Sequence, residues 1–252
     1  MQKSPLWTDQ LSRPNNIITS DSPSAETDIA IVGSGYTGLC AARIIKKNGA
    51  RVTVLDRNTI GWGASSRNGG MATPGLKQGI QKIHKIYGGT LAHEFWKISV
   101  DAIDLIDEIV TEHSIDCNWE RNGHVSLATK PSHAPRLKEY GSWLEKEFGH
   151  YQKYIPKHQI RDEIGSDTYY GALTDEISGG LHPSKYVFGL ASAVSNLGVQ
   201  LCENTAVTKI EKNDSNNFLK IELFSLVTVW ILAVLSTWTT AGISLILSSF
   251  TL

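Results

Sequence analysis

Charge is missing from one end of this chain. Every Lys, Arg, Asp and Glu lies between Lys3 and Glu222, and the last thirty residues, Leu223 to Leu252, carry none. Cysteine is scarce too: Cys40, Cys117 and Cys202 are an odd number with no C-x-x-C pair, which excludes a disulfide framework or a zinc ribbon and suits reduced core thiols in a cytosolic setting. The eight histidines show no H-E-x-x-H or H-x-x-H spacing, so no metal site is expected. A net charge of −1 and a pI near 6.7 give no global field to draw the chain to nucleic acid. There is no apolar signal segment at the start, no P-loop lysine, no Ser-His-Asp spacing, no basic aromatic patch and no internal repeat. Secretion, kinase, hydrolase and nucleic-acid readings fall away together.

What is present is a chain of 252 residues, long enough for one large domain or two small ones. Residues 1–26, with Pro5, Pro14 and Pro23 among Ser, Asn and Asp, read as an irregular arm. "DIAIVG" (Asp28 to Gly33) is then a strand, Tyr36 to Gly49 a helix, and "ARVTVLD" (Ala50 to Asp56) a second strand, which makes a βαβ unit. From Gln78 to Ser114 the pattern is helical, with Trp96, Val100, Ile103, Ile106 and Val110 on one face. Asp116 to Thr129 reads as a hairpin turning at Arg121-Asn122-Gly123. A further helix follows at His133 to Gly149, strand and turn at Tyr169 to Pro183, a helix at Ser184 to Leu197, and the strands "VQLCEN" and "AVTKIEK".

Gly33-Ser34-Gly35-Tyr36-Thr37-Gly38 matches G-x-G-x-x-G where the strand becomes the helix. The first glycine serves the tight turn, the second lets a pyrophosphate approach the backbone, and the third lets the helix lie close to the strand. Phosphate would sit at the helix N-terminus, where N–H groups and the helix dipole favour an anion. Asp56 ends the second strand, where a carboxylate can accept from ribose hydroxyls. This unit leaves NAD and FAD both open. "GWGASSRNGG" (Gly61 to Gly70) follows; its serines, arginine, asparagine and four glycines make poor core but supply many donors for a phosphate and a polyhydroxy chain.

The block from "DIAIVGSGYTGLCAARIIKKNG" to "GWGASSRNGGMATPG" resembles the FAD-dependent D-amino-acid oxidase group, which includes glycine and sarcosine oxidases, and looks most like its gamma-glutamylputrescine oxidoreductase branch. The likeness runs more loosely through "ERNGHVSLAT" and "GGLHPSKYVFGLASAVSNLGVQLCENTAVTKIEK", to Glu222. It implies an α/β fold: an FAD-binding Rossmann-like domain from residues 27–75 and 185–222, with an incomplete α+β substrate domain over 76–184. It implies that Gly33, Gly35, Tyr36, Thr37 and Gly38 hold the FAD pyrophosphate and that Asp56, with Arg57 beside it, meets the adenosine ribose. Ser65, Ser66, Arg67, Asn68, Gly69 and Gly70 would line the phosphate, the ribityl chain and the near side of the flavin, with Val207 offering a backbone contact to adenine. FAD is then preferred to NAD, and the implied reaction is hydride transfer from a small amine or amino acid to flavin.

No catalytic base is assigned, since such sites often need none. His182 in "GGLHP" could face the substrate pocket but reads first as a packing or capping residue, and His124 as a strand residue. Trp119, Glu120 and Tyr170 are named by residue type as walls for a cationic amine. The resemblance stops at Glu222, where such proteins continue with a further strand and more than a hundred residues. Three readings of residues 223–252 follow. Thirty uncharged residues exceed the roughly 20 that a membrane-crossing helix needs, with Lys209, Lys212 and Lys220 on the side of a cytoplasmic body. Ten of the thirty are Ser or Thr, which counts against such an anchor, and an out-of-frame or truncated end fits the abrupt mid-domain switch better. Buried strands standing in for the missing part are the third. Weak FAD binding and little turnover are expected of a truncated chain.

Overall fold

The computed structural model describes residues 5–212, 218–223 and 228–232. The chain forms two compact units, residues 1–68 with 183–252 and residues 69–182.

The first unit opens with a short helix, α1 (Leu6–Asp9), and a two-residue strand, β1 (Glu26–Thr27). β2 (Ile29–Val32), α2 (Tyr36–Lys47) and β3 (Val52–Leu55) then make the expected βαβ unit, with β2 and β3 parallel in the register Ile29↔Val52 to Val32↔Leu55. β3 is buried along its whole length, as an inner parallel strand with both faces covered should be. α2 buries Leu39, Ala42 and Arg43 and ends in Lys46 and Lys47, whose charges suit the negative end of the helix dipole. Gly49, at φ +92°, then reverses the chain.

The second unit begins with β4 (Met71–Ala72), α3 (Ile80–Tyr87) and α4 (Gly89–Glu112). One helix was expected over 78–114. Gly88 divides it at φ +84°, a backbone conformation that no β-carbon resists. The expected apolar face is nonetheless real: Trp96 and Ile103 are buried, and Trp96 packs with Ile80, Ile83, Ala92 and Leu144 around the rings of Trp143 and Phe148. β5 (His124–Leu127), α5 (His133–Phe148), β6 (Lys153–Pro156), α6 (Ile160–Ile164), β7 (Gly171–Asp175) and β8 (Gly179–Gly180) complete this unit. Its main sheet is antiparallel in the order β5-β7-β6.

The expected hairpin at Arg121-Asn122-Gly123 does not form. A two-residue hairpin turn of the Asn-Gly kind needs positive φ at both positions, and only Gly123 has it. β5 pairs with β7, while Glu120 exchanges both backbone hydrogen bonds with Gly180. The boundary between units also differs from the expected one: residues 69–75 belong to the second unit, because β4 pairs with β8 there.

Asp175, at the end of β7, is a buried carboxylate in this unit. Its Oδ2 accepts from His150 Nε2 at 3.0 Å and Gln152 Nε2 at 2.8 Å, and Oδ1 accepts from the Ile177 N–H at 3.1 Å. Burial pushes the carboxyl up, but the bonds from His150 and Gln152 outweigh it and hold it below its ordinary value. A depressed carboxyl stabilises above its unfolded value of 3.8, and that stability is lost as pH falls through the lower folded value. Asp175→Ala should cost about 3 kcal/mol, since it strands buried donors. Denaturation followed by the fluorescence of Trp96, whose ring lies 5.1 Å from that of His150, checks this; an unchanged midpoint contradicts it.

The chain then returns to the first unit through α7 (Pro183–Asn196) and β9 (Gln200–Cys202), which adds to β3 in parallel. β10 (Val207–Lys212), β11 (Phe218–Leu223) and β12 (Thr228–Leu232) form a second sheet in the order β1-β12-β11-β10, with β1 and β12 parallel. Cys117 and Cys202 are buried thiols and Cys40 a partly buried one; burial pushes Cys202 up to about 11.

The tail is only partly within view. Its described stretch Thr228–Leu232 is a β-strand, not part of a helix, and no helix among the described residues is long and apolar enough to cross a membrane. Residues 224–227 and 233–252, on which the anchor and out-of-frame readings also rest, lie outside the described residues.

Candidate functional site

The site in the first unit is built where β2 turns into α2. Gly33 has φ +102°, and its N–H donates to the Leu55 carbonyl at 2.8 Å, fixing the turn to the end of β3. The third glycine has a sharp steric reason: a β-carbon on Gly38 would stand 2.0 Å from the Gly33 carbonyl oxygen and 3.3 Å from Ile31 Cγ2. A β-carbon on Gly35 would meet Ser65 Oγ at 3.0 Å.

That serine joins the two glycine motifs, because Ser65 Oγ accepts from the Tyr36 N–H at 3.1 Å, at the first residue of α2. The Tyr36 hydroxyl donates to the Pro183 carbonyl at 3.1 Å, and its ring lies 5.2 Å from that of Tyr186. Thr37 is exposed on the first turn. Ala64–Ser66 form a 3-10 turn in which the fully buried Ser66 donates its hydroxyl to the Gly61 carbonyl, so Ser66 shapes the loop from inside. Asn68 Nδ2 donates to the Ala64 and Ser65 carbonyls at 3.1 and 3.2 Å. The Arg67 guanidinium lies 4.5 Å from the centre of the Trp62 ring.

Asp56 is drawn to the first turn. Its Oδ2 accepts from both the N–H and the hydroxyl of Ser34, at 2.7 and 2.6 Å, and Oδ1 accepts from the Asn58 N–H at 2.9 Å. Ser34 is only 3% exposed. Arg57 beside it is exposed. Val207 opens β10 and packs on the buried cluster of Leu55, Cys202 and Leu223.

Residues 28–222 match the family described as DAO, FAD dependent oxidoreductase. The chain belongs to this family. FAD is the cofactor that defines it. Among curated proteins, a probable oxidoreductase OrdL of Haemophilus influenzae is 38% identical over 188 residues, covering 74% of this chain and 43% of that protein. The gamma-glutamylputrescine oxidoreductase of Escherichia coli is 33% identical over 188 residues, covering 75% and 44%. The chain thus spans less than half the length of these relatives. Its fold is like that of glycine oxidase from Geobacillus kaustophilus, with a TM-score of 0.67, 21% identity and coverage of 82% and 54%. It is also like L-amino acid deaminase from Proteus vulgaris, with a TM-score of 0.70, 17% identity and coverage of 85% and 47%.

The family's cofactor suits the residues found. The glycine turn puts no β-carbon of its own at Gly33, Gly35 or Gly38, the Ser65 hydroxyl stands at the helix start as a polar neighbour, and the Asp56 carboxylate keeps lone-pair capacity on Oδ1 beyond the Asn58 bond. Gly69 and Gly70 belong to the second unit, where the Gly70 carbonyl accepts from the Leu181 N–H at 2.9 Å.

Of the residues singled out for a substrate wall, Trp119 and the Glu120 carbonyl both lie against Gly179. Trp119 donates its indole N–H to Asp107 and covers Gly179; Glu120 accepts from Asn122 at 2.6 Å; Tyr170 lies under the Lys157 ammonium at 4.5 Å. His182 donates its backbone N–H to the Cys117 carbonyl at 2.7 Å, and His124 opens β5. Ser34 is the site residue that sequence reasoning missed. The motif treats its position as variable, and the only signal was a hydroxyl at a turn facing a strand-end aspartate.

Proposed function

We propose that residues 28–222 form the flavin-holding part of an oxidoreductase that oxidises a small amine or amino acid. The observation that carries this reading is the glycine turn Gly33–Gly38 joined to Ser65 on one side and, through Ser34, to Asp56 on the other. Gly33, Gly35, Tyr36, Thr37 and Gly38 bring the pyrophosphate to the positive end of α2, and the Ser65 hydroxyl, held on the Tyr36 N–H, adds a donor there. Asp56 takes the adenosine ribose, with Arg57 beside it and the backbone of Val207 beside the adenine. Arg67 and Asn68 serve the phosphates, while Ser66 holds their loop in shape.

When bound, FAD supplies the chemistry by accepting hydride from the substrate carbon next to nitrogen. The protein's own part is to bind and orient, and no side chain is assigned as a base. The substrate class is supported by the relatives' names: gamma-glutamylputrescine, glycine and L-amino acids are all amines or amino acids. The test is anaerobic mixing of flavin-loaded protein with a panel of primary and secondary amines and amino acids. Bleaching of the oxidised flavin band by members of that panel supports the reading, and a flavin reduced by hydroxy acids but by no amine contradicts it.

A further inference from the structure

The arm before β1 is not a loose leader. Ile17 is buried, Asn16 Nδ2 donates to Ser192 Oγ at 2.8 Å, the Ser20 N–H donates to the Leu201 carbonyl at 2.8 Å, and the Ser24 N–H donates to Gln200 Oε1 at 2.8 Å. These ties seat the arm along α7 and β9. Two others reach past that seat. The Trp7 indole N–H donates to the Asn68 carbonyl at 2.7 Å, and Arg13 Nη1 donates to both oxygens of Glu203 at 2.7 and 2.8 Å. The same Glu203 Oε1 accepts from the Ile60 N–H at 2.6 Å.

Ile60 and Asn68 are the two ends of the loop that carries Ser65, Ser66 and Arg67. We propose that the N-terminal arm is a clamp on this loop, with Trp7 holding its exit and Arg13, through Glu203, holding its entry. Arg13 and Trp7 are thereby positioning residues for flavin. This rests on the FAD reading above for its function, but its mechanical part does not. The chemistry favours a clamp over a simple docked arm. Glu203 is a nearly buried carboxylate, its side chain 13% exposed, and only a charge such as Arg13 lets it sit there and still hold a backbone N–H. The segment it belongs to is also laid against Asp56: the Thr205 N–H donates to the Asp56 carbonyl at 2.7 Å and the Asn204 N–H to the Asn58 carbonyl at 3.2 Å.

The experiment uses the full chain with Arg13→Ala, Arg13→Lys and Trp7→Phe, the last of which removes the indole N–H and keeps a ring. Amide hydrogen exchange is read without cofactor and FAD affinity by titration. The expected result is faster exchange at residues 60–68 in Arg13→Ala and Trp7→Phe, joined in Arg13→Ala by the arm and the Glu203–Thr205 segment, with the second unit unchanged. FAD binding should weaken by about tenfold in Arg13→Ala, the scale of one lost charge-assisted contact, and recover in part in Arg13→Lys. Unchanged exchange at residues 60–68, or acceleration spread evenly over the chain, overturns the clamp. Local loosening with unchanged FAD affinity overturns its link to flavin. A wild-type chain that binds no FAD overturns the function reading instead, and leaves the exchange data to judge the clamp.

Discussion

Gly38→Val abolishes flavin binding and removes about 3 kcal/mol of stability or more. The magnitude follows from what the new side chain meets: its first carbon would stand 2.0 Å from the Gly33 carbonyl oxygen, a backbone atom that cannot swing away as a side-chain tip could. The start of α2 must lift from the turn, and overpacking of this kind costs about 1–3 kcal/mol even where the neighbours can shift. Lifting the helix also moves the N–H groups that would meet a phosphate. Two other glycines make the result interpretable if this variant folds poorly. Gly35→Ala meets only Ser65 Oγ, at 3.0 Å, and should fold while binding FAD about tenfold more weakly, because the serine must leave the Tyr36 N–H. Gly63→Ala, with φ −82° and nothing within 4 Å, should change stability by less than about 0.5 kcal/mol. Thermal unfolding and FAD titration of the three variants read the order directly, and equal effects at 38 and 63 contradict it.

Asp56→Ala weakens FAD binding by about a hundredfold and also lowers stability, two effects with separate causes. The stability loss comes from Ser34, whose buried N–H and hydroxyl lose their shared acceptor; leaving such donors unsatisfied costs about 1–3 kcal/mol. The affinity loss comes from removing the acceptor for ribose hydroxyls, at about 1.5–3 kcal/mol for a hydrogen bond to a charged group. Ser34→Ala separates them: it keeps the carboxylate and the Ser34 N–H, so its FAD affinity should fall much less than that of Asp56→Ala. Denaturant midpoints and FAD titrations of both variants check this. A loss of stability in Asp56→Ala with full FAD affinity would make the aspartate a structural brace only.

The βαβ unit was legible because each of its signals is local: an apolar run, a glycine turn and a helix stop at Gly49 lie within thirty residues of each other. The helical span 78–114 was legible in its apolar face but not in its break, since a single glycine inside a periodic pattern does not announce whether its φ will turn positive, as it does at Gly88. The hairpin at Asn122-Gly123 failed for the opposite reason. Its turn signal was strong, yet β7 offered β5 a better partner and Gly180 claimed Glu120. The arm was read as irregular from its prolines, and most of it is. What holds it are bonds such as Arg13 to Glu203 and Asn16 to Ser192, which span more than 170 residues and leave no periodic trace. The site was legible in the same measure. Gly33, Gly38 and Asp56 stand in a motif, whereas Ser34 as the partner of Asp56 and Ser66 as an internal brace emerge only when side chains meet across the turn.

The Gly33–Gly38 turn with Asp56 and Ser65 is proposed as a flavin dinucleotide site. Its most direct measurement is calorimetric titration of the purified full chain with FAD and, separately, with NAD. Saturable one-to-one binding of FAD, lost in Gly38→Val and with no matching signal for NAD, is the predicted result. Binding of NAD without binding of FAD would contradict the claim.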